Sequence, residues 1–265
     1  MVKDRYPEHE ETSFSYEDSI VVILDILGFK NKVFESQKSP TNLKHIAELL
    51  RFIKAFNTQD GINEFIKLKN AIDISNLQLN QEEIEKVMNE IQISYFSDSL
   101  AITLPYTESD FVKKISLVVY NLAWIISQLA MSDFFTRGGI AIGKMYHKEN
   151  VFFGPAFLEA HNLESESEFA VNPRTILSKA IEEKLQKTGA INAVPYITKD
   201  DDKWWYVDFI SFANNRDKKA TSVYLEPIKD NVQKNIAECE RKIEQTTSIK
   251  SKYEWVRNKI ESIET

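Results

Sequence analysis

Two hydrophobic periods run along this chain, and the switches between them lay out its elements. Val21, Val22, Ile23 and Leu24 are apolar without interruption and end on Asp25, after which come Ile26, Leu27, Gly28, Phe29 and Lys30. An unbroken apolar run of this kind reads as a strand buried on both faces, so residues 20–25 form the first predicted strand and 29–34 open a helix or turn. Ser39-Pro40-Thr41 is a helix-start signal with Thr41 as candidate cap, and Ile46, Leu49, Leu50, Ile53 and Phe56 then recur at helical spacing. Residues 58–80 are ambiguous, with Gly61 marking them as an insertion, and 81–91 read as a short charged helix. Ile91, Ile93 and Tyr95 alternate with Gln92 and Ser94. Phe96-Ser97-Asp98-Ser99 follows, then a second apolar run over 100–104. This is a hairpin with Asp98 at its tip.

Residues 109–131 carry Phe111, Ile115, Val118, Leu122, Ile125 and Leu129 on one helical face. Leu117, Val119, Trp124 and Ile126 widen the stripe, so this helix is broadly buried, in the core or against a second subunit. The next strand, 134–143, contains Arg137-Gly138-Gly139 and Gly143. The chain has seven glycines, and four of them fall between 138 and 154, where glycine in a strand marks close backbone approach or a bulge. A short strand, 151–153, ends at Gly154-Pro155, and Pro155 suits the first turn of a helix continuing to 164. A strand at 174–178 leads into a helix over 179–186. Residues 196–198 and 204–212 read as a final hairpin around Asp200-Asp201-Asp202, and the pattern from Pro227 onward is helical. The order predicts an α/β (α+β) sandwich with a mixed sheet of the ferredoxin-like or palm kind, helices on one face, and C-terminal helices added. The expected division is an N-terminal segment 1–19, a main domain 20–225 and helices over 226–265, in one chain of 265 residues.

Composition adds exclusions. Apolar content of 43% and charged content of 28% are those of a globular fold. The net charge is −7 and no basic stripe stands out, which argues against a nucleic-acid polymer as partner. A small anion held through metal ions remains compatible. The one cysteine, Cys239, excludes a disulfide framework and a Cys-based zinc site, and reads as an inert helix residue. No apolar run reaches the length of a membrane span and the first residues are polar and acidic, so the expectation is a cytoplasmic protein with no membrane partner.

The chemistry starts from Asp25. A carboxylate at the end of a buried strand is costly unless it is paired or binds a cation. Asp25-Ile26-Leu27-Gly28-Phe29 resembles the first metal-binding motif of the class III nucleotidyl cyclases, the catalytic domains of adenylate and guanylate cyclases. Phe96-Ser97-Asp98-Ser99-Leu100-Ala101 is similar to the second metal hairpin of that family, and Arg137-x-Gly139-Ile140-x-x-Gly143 to its glycine strand. The segment 154–164, keeping Gly154, Ala160, Leu163 and Glu164, resembles the helix that follows, and 174–178 the short strand after it. The resemblance spans roughly 20–185. It implies two Mg²⁺ or Mn²⁺ ions, about 4 Å apart in two-metal sites, held by Asp25, Ile26 and Asp98. It also implies a nucleoside triphosphate substrate cradled at Leu27, Gly28, Phe29 and Lys30, and a head-to-tail homodimer sharing its active sites.

Departures from the family matter as much. Where adenylate cyclases carry Lys and guanylate cyclases Glu, four residues before the second metal Asp, this chain has Ser94. The second base-reading position is Val151. The Asn and Arg of the catalytic helix are here Leu158 and Asn162, so the cation at the developing charge is missing. Arg137, Lys144 and Lys203 are the candidate replacements. These differences point to the pyrimidine cyclases of bacterial antiphage systems, which make cyclic UMP or cyclic CMP for a separate effector. Two alternatives stay open: a degenerate cyclase-like module that binds a nucleotide or partner, and a palm-type nucleotidyltransferase that joins two nucleotides. Read without the resemblance, Ser97-Asp98-Ser99 is an ordinary turn, His147 a surface-loop histidine, and Asp200–Asp202 a solvated turn. Trp204 and Trp205 then pack the C-terminal helices, and Glu159, His161 and Asn162 are the exposed face of a helix.

Overall fold

The computed structural model describes residues 14–55, 80–96, 98–148, 151–166, 169, 171–219, 224–241 and 247–264. The expected insertion at 58–80 lies outside them apart from Asn80. Inside the sheet, paired on both edges, is β1 (Glu17–Ile26). It runs antiparallel to β3 (Ser99–Pro105) on one side and to β4 (Thr136–Lys148) on the other. The hairpin partner of β3 is β2 (Gln92–Phe96). Beyond β4 lie β6 (Thr175–Leu177), parallel to it, then β8 (Trp205–Val207) and β7 (Ile197–Lys199). The sheet order is β2-β3-β1-β4-β6-β8-β7, and β5 (Val151–Phe153) pairs only with the far end of β4.

The apolar run in β1 is continuous because both of its faces are covered. Ile20, Val22, Leu24 and Ile26 enter the main core with α4 (Phe111–Met131), whose residues are buried nearly all round. Val21 and Ile23 face the other way, into a smaller cluster with Ala156 and Ala160 of α5 (Pro155–Ser165). Each such buried aliphatic contributes about 1.5–3 kcal/mol over leaving it in water. Helices therefore cover both faces of the sheet, not one as the pattern alone suggested. The second layer is possible because the facing residues are small. A Cβ on Gly139 would stand 2.3 Å from the Ala160 carbonyl oxygen, and one on Gly143 3.6 Å from the Ala156 methyl. The glycine strand is thus the seat of α5, the close approach that its composition indicates.

Other elements follow their local signals. Between β1 and β2 lie α1 (Phe29–Ser36), α2 (Pro40–Ala55) and α3 (Gln81–Glu90), the last opened by a capping box between Asn80 and Glu83. The cap of α2 is Ser39, whose hydroxyl accepts from the Asn42 amide at 3.3 Å, with Pro40 at the first helical position; Thr41 is already inside the helix. After β6 comes α6 (Lys179–Lys187). The strand expected over 204–212 stops at Val207, because Asp208 caps α7 (Phe209–Lys219) by accepting from the Ser211 amide at 2.9 Å and from the Ser211 hydroxyl at 2.7 Å. The chain closes with α8 (Leu225–Arg241), carrying a buried Cys239, and α9 (Thr247–Glu264). Contrary to the sequence expectation, α4 is long and apolar enough to cross a membrane by length and composition, but 89% of that window is buried inside the fold, where it serves as the core helix.

Candidate metal and phosphate site at the end of the first strand

Asp25 and Asp98 meet where β1 ends. Asp25 pairs in register with Ser99, and the Ile26 amide donates to the Asp98 carbonyl at 3.1 Å. The two side chains leave that point by different faces. Asp25 follows Val21 and Ile23 onto the α5 face. Its Oδ1 accepts from the Ser99 hydroxyl at 3.3 Å and its Oδ2 from Arg137 Nε at 3.2 Å. Asp98 lines a cavity of about 340 Å³ on the α4 face with Ile26, Thr136, Arg51 and Lys54. The two charges still sense each other. Burial raises the Asp25 pKa, Arg137 pulls it down and the Asp98 charge pushes it up again.

Arg137 joins Asp25 to a third acid. It sits opposite Asp25 on β4, and its Nε also lies 2.8 Å from Glu164 Oε1 on α5. Glu164 is buried, and burial raises its pKa against the pull of Arg137. The resemblance marks Glu164 only as a retained position; its contact with the strand-end site depends on α5 crossing β4 above Gly139.

After Asp25 the chain turns sharply. Gly28 caps α1 at φ 70°, a left-handed conformation that L side chains rarely adopt. Asn31 and Lys32 donate back to its carbonyl at 3.0 and 3.2 Å. Of the amides expected to cradle phosphate, that of Leu27 is already committed, donating to the Phe135 carbonyl at 2.8 Å. Among the described residues the Gly28 and Phe29 amides make no hydrogen bond, so the usable cradle is shorter by one donor. Lys30 is exposed. The cation that faces inward from α1 is Lys32, 3.1 Å from Asp133.

Beside this turn opens a cavity of about 930 Å³ bounded by α1, α2, the turn 131–135 and the C-terminal helices. Asp133 anchors one wall. It holds φ 63° and receives Lys32, Lys234 at 3.2 Å and Asn235 at 2.6 Å. Burial pushes its carboxyl up, but the Lys32 charge and these bonds leave it below the usual range. Tyr253 of α9 sets its ring edge against Phe135, centroids 5.3 Å apart. Pattern reading missed this wall, because nothing in a helical stripe says which cavity its polar flank borders.

The remaining candidates scatter. Ser94 is buried, with its hydroxyl 2.9 Å from His147 Nε2, and Thr103 contacts His147 Nδ1 at 2.7 Å. His147 is therefore an interior residue of β4, not a loop histidine, and burial lowers its pKa. Val151 is exposed on β5, and Leu158, His161 and Asn162 are exposed on α5. Glu159 is instead half-buried, and burial raises its pKa. Of the candidate replacement cations, only Arg137 reaches Asp25. Lys144 pairs with Asp18 at 2.9 Å, seven positions along the strand, and Lys203 sits in the turn before β8. That turn is not merely solvated. Asp200 is buried, bound by Arg174, by Lys259 at 2.7 Å and by the Trp255 indole at 3.1 Å. Trp204 stacks under Lys179, 4.3 Å from its ring centroid, and edges onto Phe169, while Trp205 donates to Glu182 at 3.0 Å and packs against the main core, to which the C-terminal helices contribute Val256 and Ile260.

The donor types, two carboxylates and a backbone carbonyl at adjoining strand ends, are those of a hard divalent cation, and one ion shared between them requires the Asp98 side chain to turn from the α4-face cavity toward Asp25. Its fit rests on Asp25, a half-buried acid with a second acid beside it, whose ionised form a cation would favour. Among the described residues no group of three or more His, Cys, Asp or Glu is arranged to hold a metal, so the set is the two acids or none. No protein-family model matches this chain, and no curated protein matches it.

Proposed function

We propose that this chain is a metal-dependent nucleotidyl cyclase that converts a nucleoside triphosphate, a pyrimidine (UTP or CTP) by preference, to a 3′,5′-cyclic nucleotide and pyrophosphate. The observation that carries the reading is the strand-end junction, where Asp25 near the end of β1 meets Asp98 in the turn just before β3 and the Gly28 turn follows at once. Asp25, the Ile26 carbonyl and Asp98 would hold Mg²⁺ or Mn²⁺, which would supply charge neutralisation at the attacked phosphate and at the leaving pyrophosphate. The chain's own groups do the rest. The Gly28 and Phe29 amides donate to phosphate oxygens. Arg137 and Glu164 fix the Asp25 carboxylate, as positioning residues. Neither Ser94 nor Val151 places a charge against the base, which speaks against the usual purine readers.

The homodimer implied by the resemblance has support in an exposed apolar surface: Phe14, Tyr16, Val151, Phe153 and Leu158 are all largely exposed, and Tyr16 and Phe153 touch edge to face. Leu158 and Asn162 would then face the partner subunit. The product would act on a separate effector.

The test is incubation of the purified chain with each of the four NTPs and Mg²⁺ or Mn²⁺, with products resolved by chromatography. A cyclic pyrimidine nucleotide is the expected product. No cyclic product from any NTP sinks the proposal, and a dinucleotide would mark a palm-type transferase. A second reading, a binding module without catalysis, draws on one observation: Arg137 already occupies an oxygen of Asp25. Tight nucleotide binding in calorimetry without turnover would select it.

A further inference from the structure

The proposed reaction lacks a cation from the catalytic helix, and the C-terminal helices hold one in the right neighbourhood. Lys252 of α9 is half-buried in the wall of the large cavity that also takes in Leu27 and Gly28. Among the described residues it makes no hydrogen bond and no ion pair within 4 Å. A half-buried ammonium without a partner is costly, and most other lysines bordering the fold's interior have one. Lys32 and Lys234 have Asp133, Lys259 has Asp200 and Lys114 has Glu90.

Its place is fixed from both sides. The next residue, Tyr253, packs on Phe135, whose carbonyl takes the Leu27 amide. About one and two turns after Lys252 on α9, Trp255 and Lys259 bind Asp200 at the sheet edge. On the other wall, Asn231 of α8 donates to the Ala130 and Met131 carbonyls at 3.0 and 2.9 Å. The helical pair is thus bolted to the strand-end turn. Burial lowers the Lys252 pKa, the Arg137 charge lowers it further and Asp25 raises it, so all three lie within electrostatic reach.

We propose that Lys252 is the polyphosphate-binding cation of this protein: the cavity between the Gly28 turn and α9 takes the β- and γ-phosphates of a nucleotide, with the free Gly28 and Phe29 amides on one side and the Lys252 ammonium on the other. The chemistry favours a triphosphate over a lone carboxylate ligand. A cavity of about 930 Å³ is of the size that holds a nucleotide-scale ligand, and a lysine point charge suits phosphate oxygens. Glu35 and Glu238 also line the cavity and set a limit on its affinity for anions without metal. The proposal deepens the cyclase reading and rests on it for the identity of the ligand.

The test is calorimetric titration of the full chain with inorganic tripolyphosphate, with and without Mg²⁺. Wild type should bind, Lys252→Gln should bind at least about tenfold more weakly, as loss of one charge-assisted bond predicts, and Lys252→Arg should recover most of the loss. Lys229→Gln on α8, whose ammonium serves Glu226 and which does not line the cavity, should bind like wild type. On unaltered protein, an amine-reactive reagent read by mass spectrometry should label Lys252 and be blocked there by tripolyphosphate, which removes any dependence on folding of the variant. Equal binding by wild type and Lys252→Gln, unblocked labelling, or no binding by wild type overturns the site. Lys252-dependent tripolyphosphate binding with no NTP turnover leaves the site standing and removes the cyclase. Cyclic product formed with unchanged KM and kcat in Lys252→Gln does the reverse.

Discussion

At the scale of single residues, Asp25 is held by three competing influences. Burial disfavours its charge, Arg137 favours it, and Asp98 disfavours it again. A divalent cation would relieve both unfavourable influences, which is why Asp25 is the centre of the proposed site. Asp25→Ala and Asp98→Ala should each abolish NTP turnover, while far-ultraviolet circular dichroism and the melting transition show the fold retained. Arg137 keeps Glu164 as a partner when Asp25 is lost. Near-full activity in either variant would show that the two-carboxylate assignment is wrong. The pair formed by Ser94 and His147 carries a different lesson: a residue expected to read a base is spent on an interior hydrogen bond.

At the scale of elements, α6 shows how one buried acid can clamp a helix to a hairpin. Glu182 receives Lys199 at 2.7 Å from β7, the Trp205 indole at 3.0 Å from β8 and Lys179 at 2.9 Å from its own helix. Burial alone would raise its pKa, but these bonds outweigh it and bring it down to about 2. A folded-state pKa below the unfolded value means that the folded chain binds the proton more weakly. The contribution of Glu182 is therefore fully present above its ordinary pKa of 4.5 and is lost as pH falls from there toward about 2. Glu182→Gln should lower stability at neutral pH by about 1–3 kcal/mol, measured by urea denaturation. Its deficit relative to wild type should shrink steadily below pH 4.5, and a deficit independent of pH would show that the charge of Glu182 is not what holds the hairpin.

At the scale of the whole molecule, the sheet divides the labour. One face is filled by α4 and builds the core; the other is lined with glycine and alanine so that α5 can sit close, presenting Leu158, His161 and Asn162 to solvent. If that outer surface is where a second copy docks, as proposed, Leu158→Arg should convert a dimer to a monomer in sedimentation velocity and lower NTP turnover in proportion. A wild-type chain that is monomeric at the concentration of the assay yet fully active would remove the shared-site arrangement. The C-terminal helices, which pattern analysis treated as an addition, complete the wall of the large cavity and bring Lys252 to it.

The mixed sheet, the strand-end Asp25, the hairpin carrying Asp98 and the glycine seat of α5 are all legible in the order of residues. Each of these is written in local periodicity or in a short run of residues whose cost must be answered nearby. The partners that answer them come from the assembled fold. Arg137 meets Glu164 because α5 crosses β4 above Gly139. The Leu27 amide is consumed by Phe135, His147 turns inward to Ser94 and Thr103, and Asp200 is buried by Arg174 and by residues 55 and 59 positions away. Hydrophobic period records which face of an element is buried, but not which distant charge faces it. Such pairings depend on strand register and helix crossing, which only the assembled chain defines.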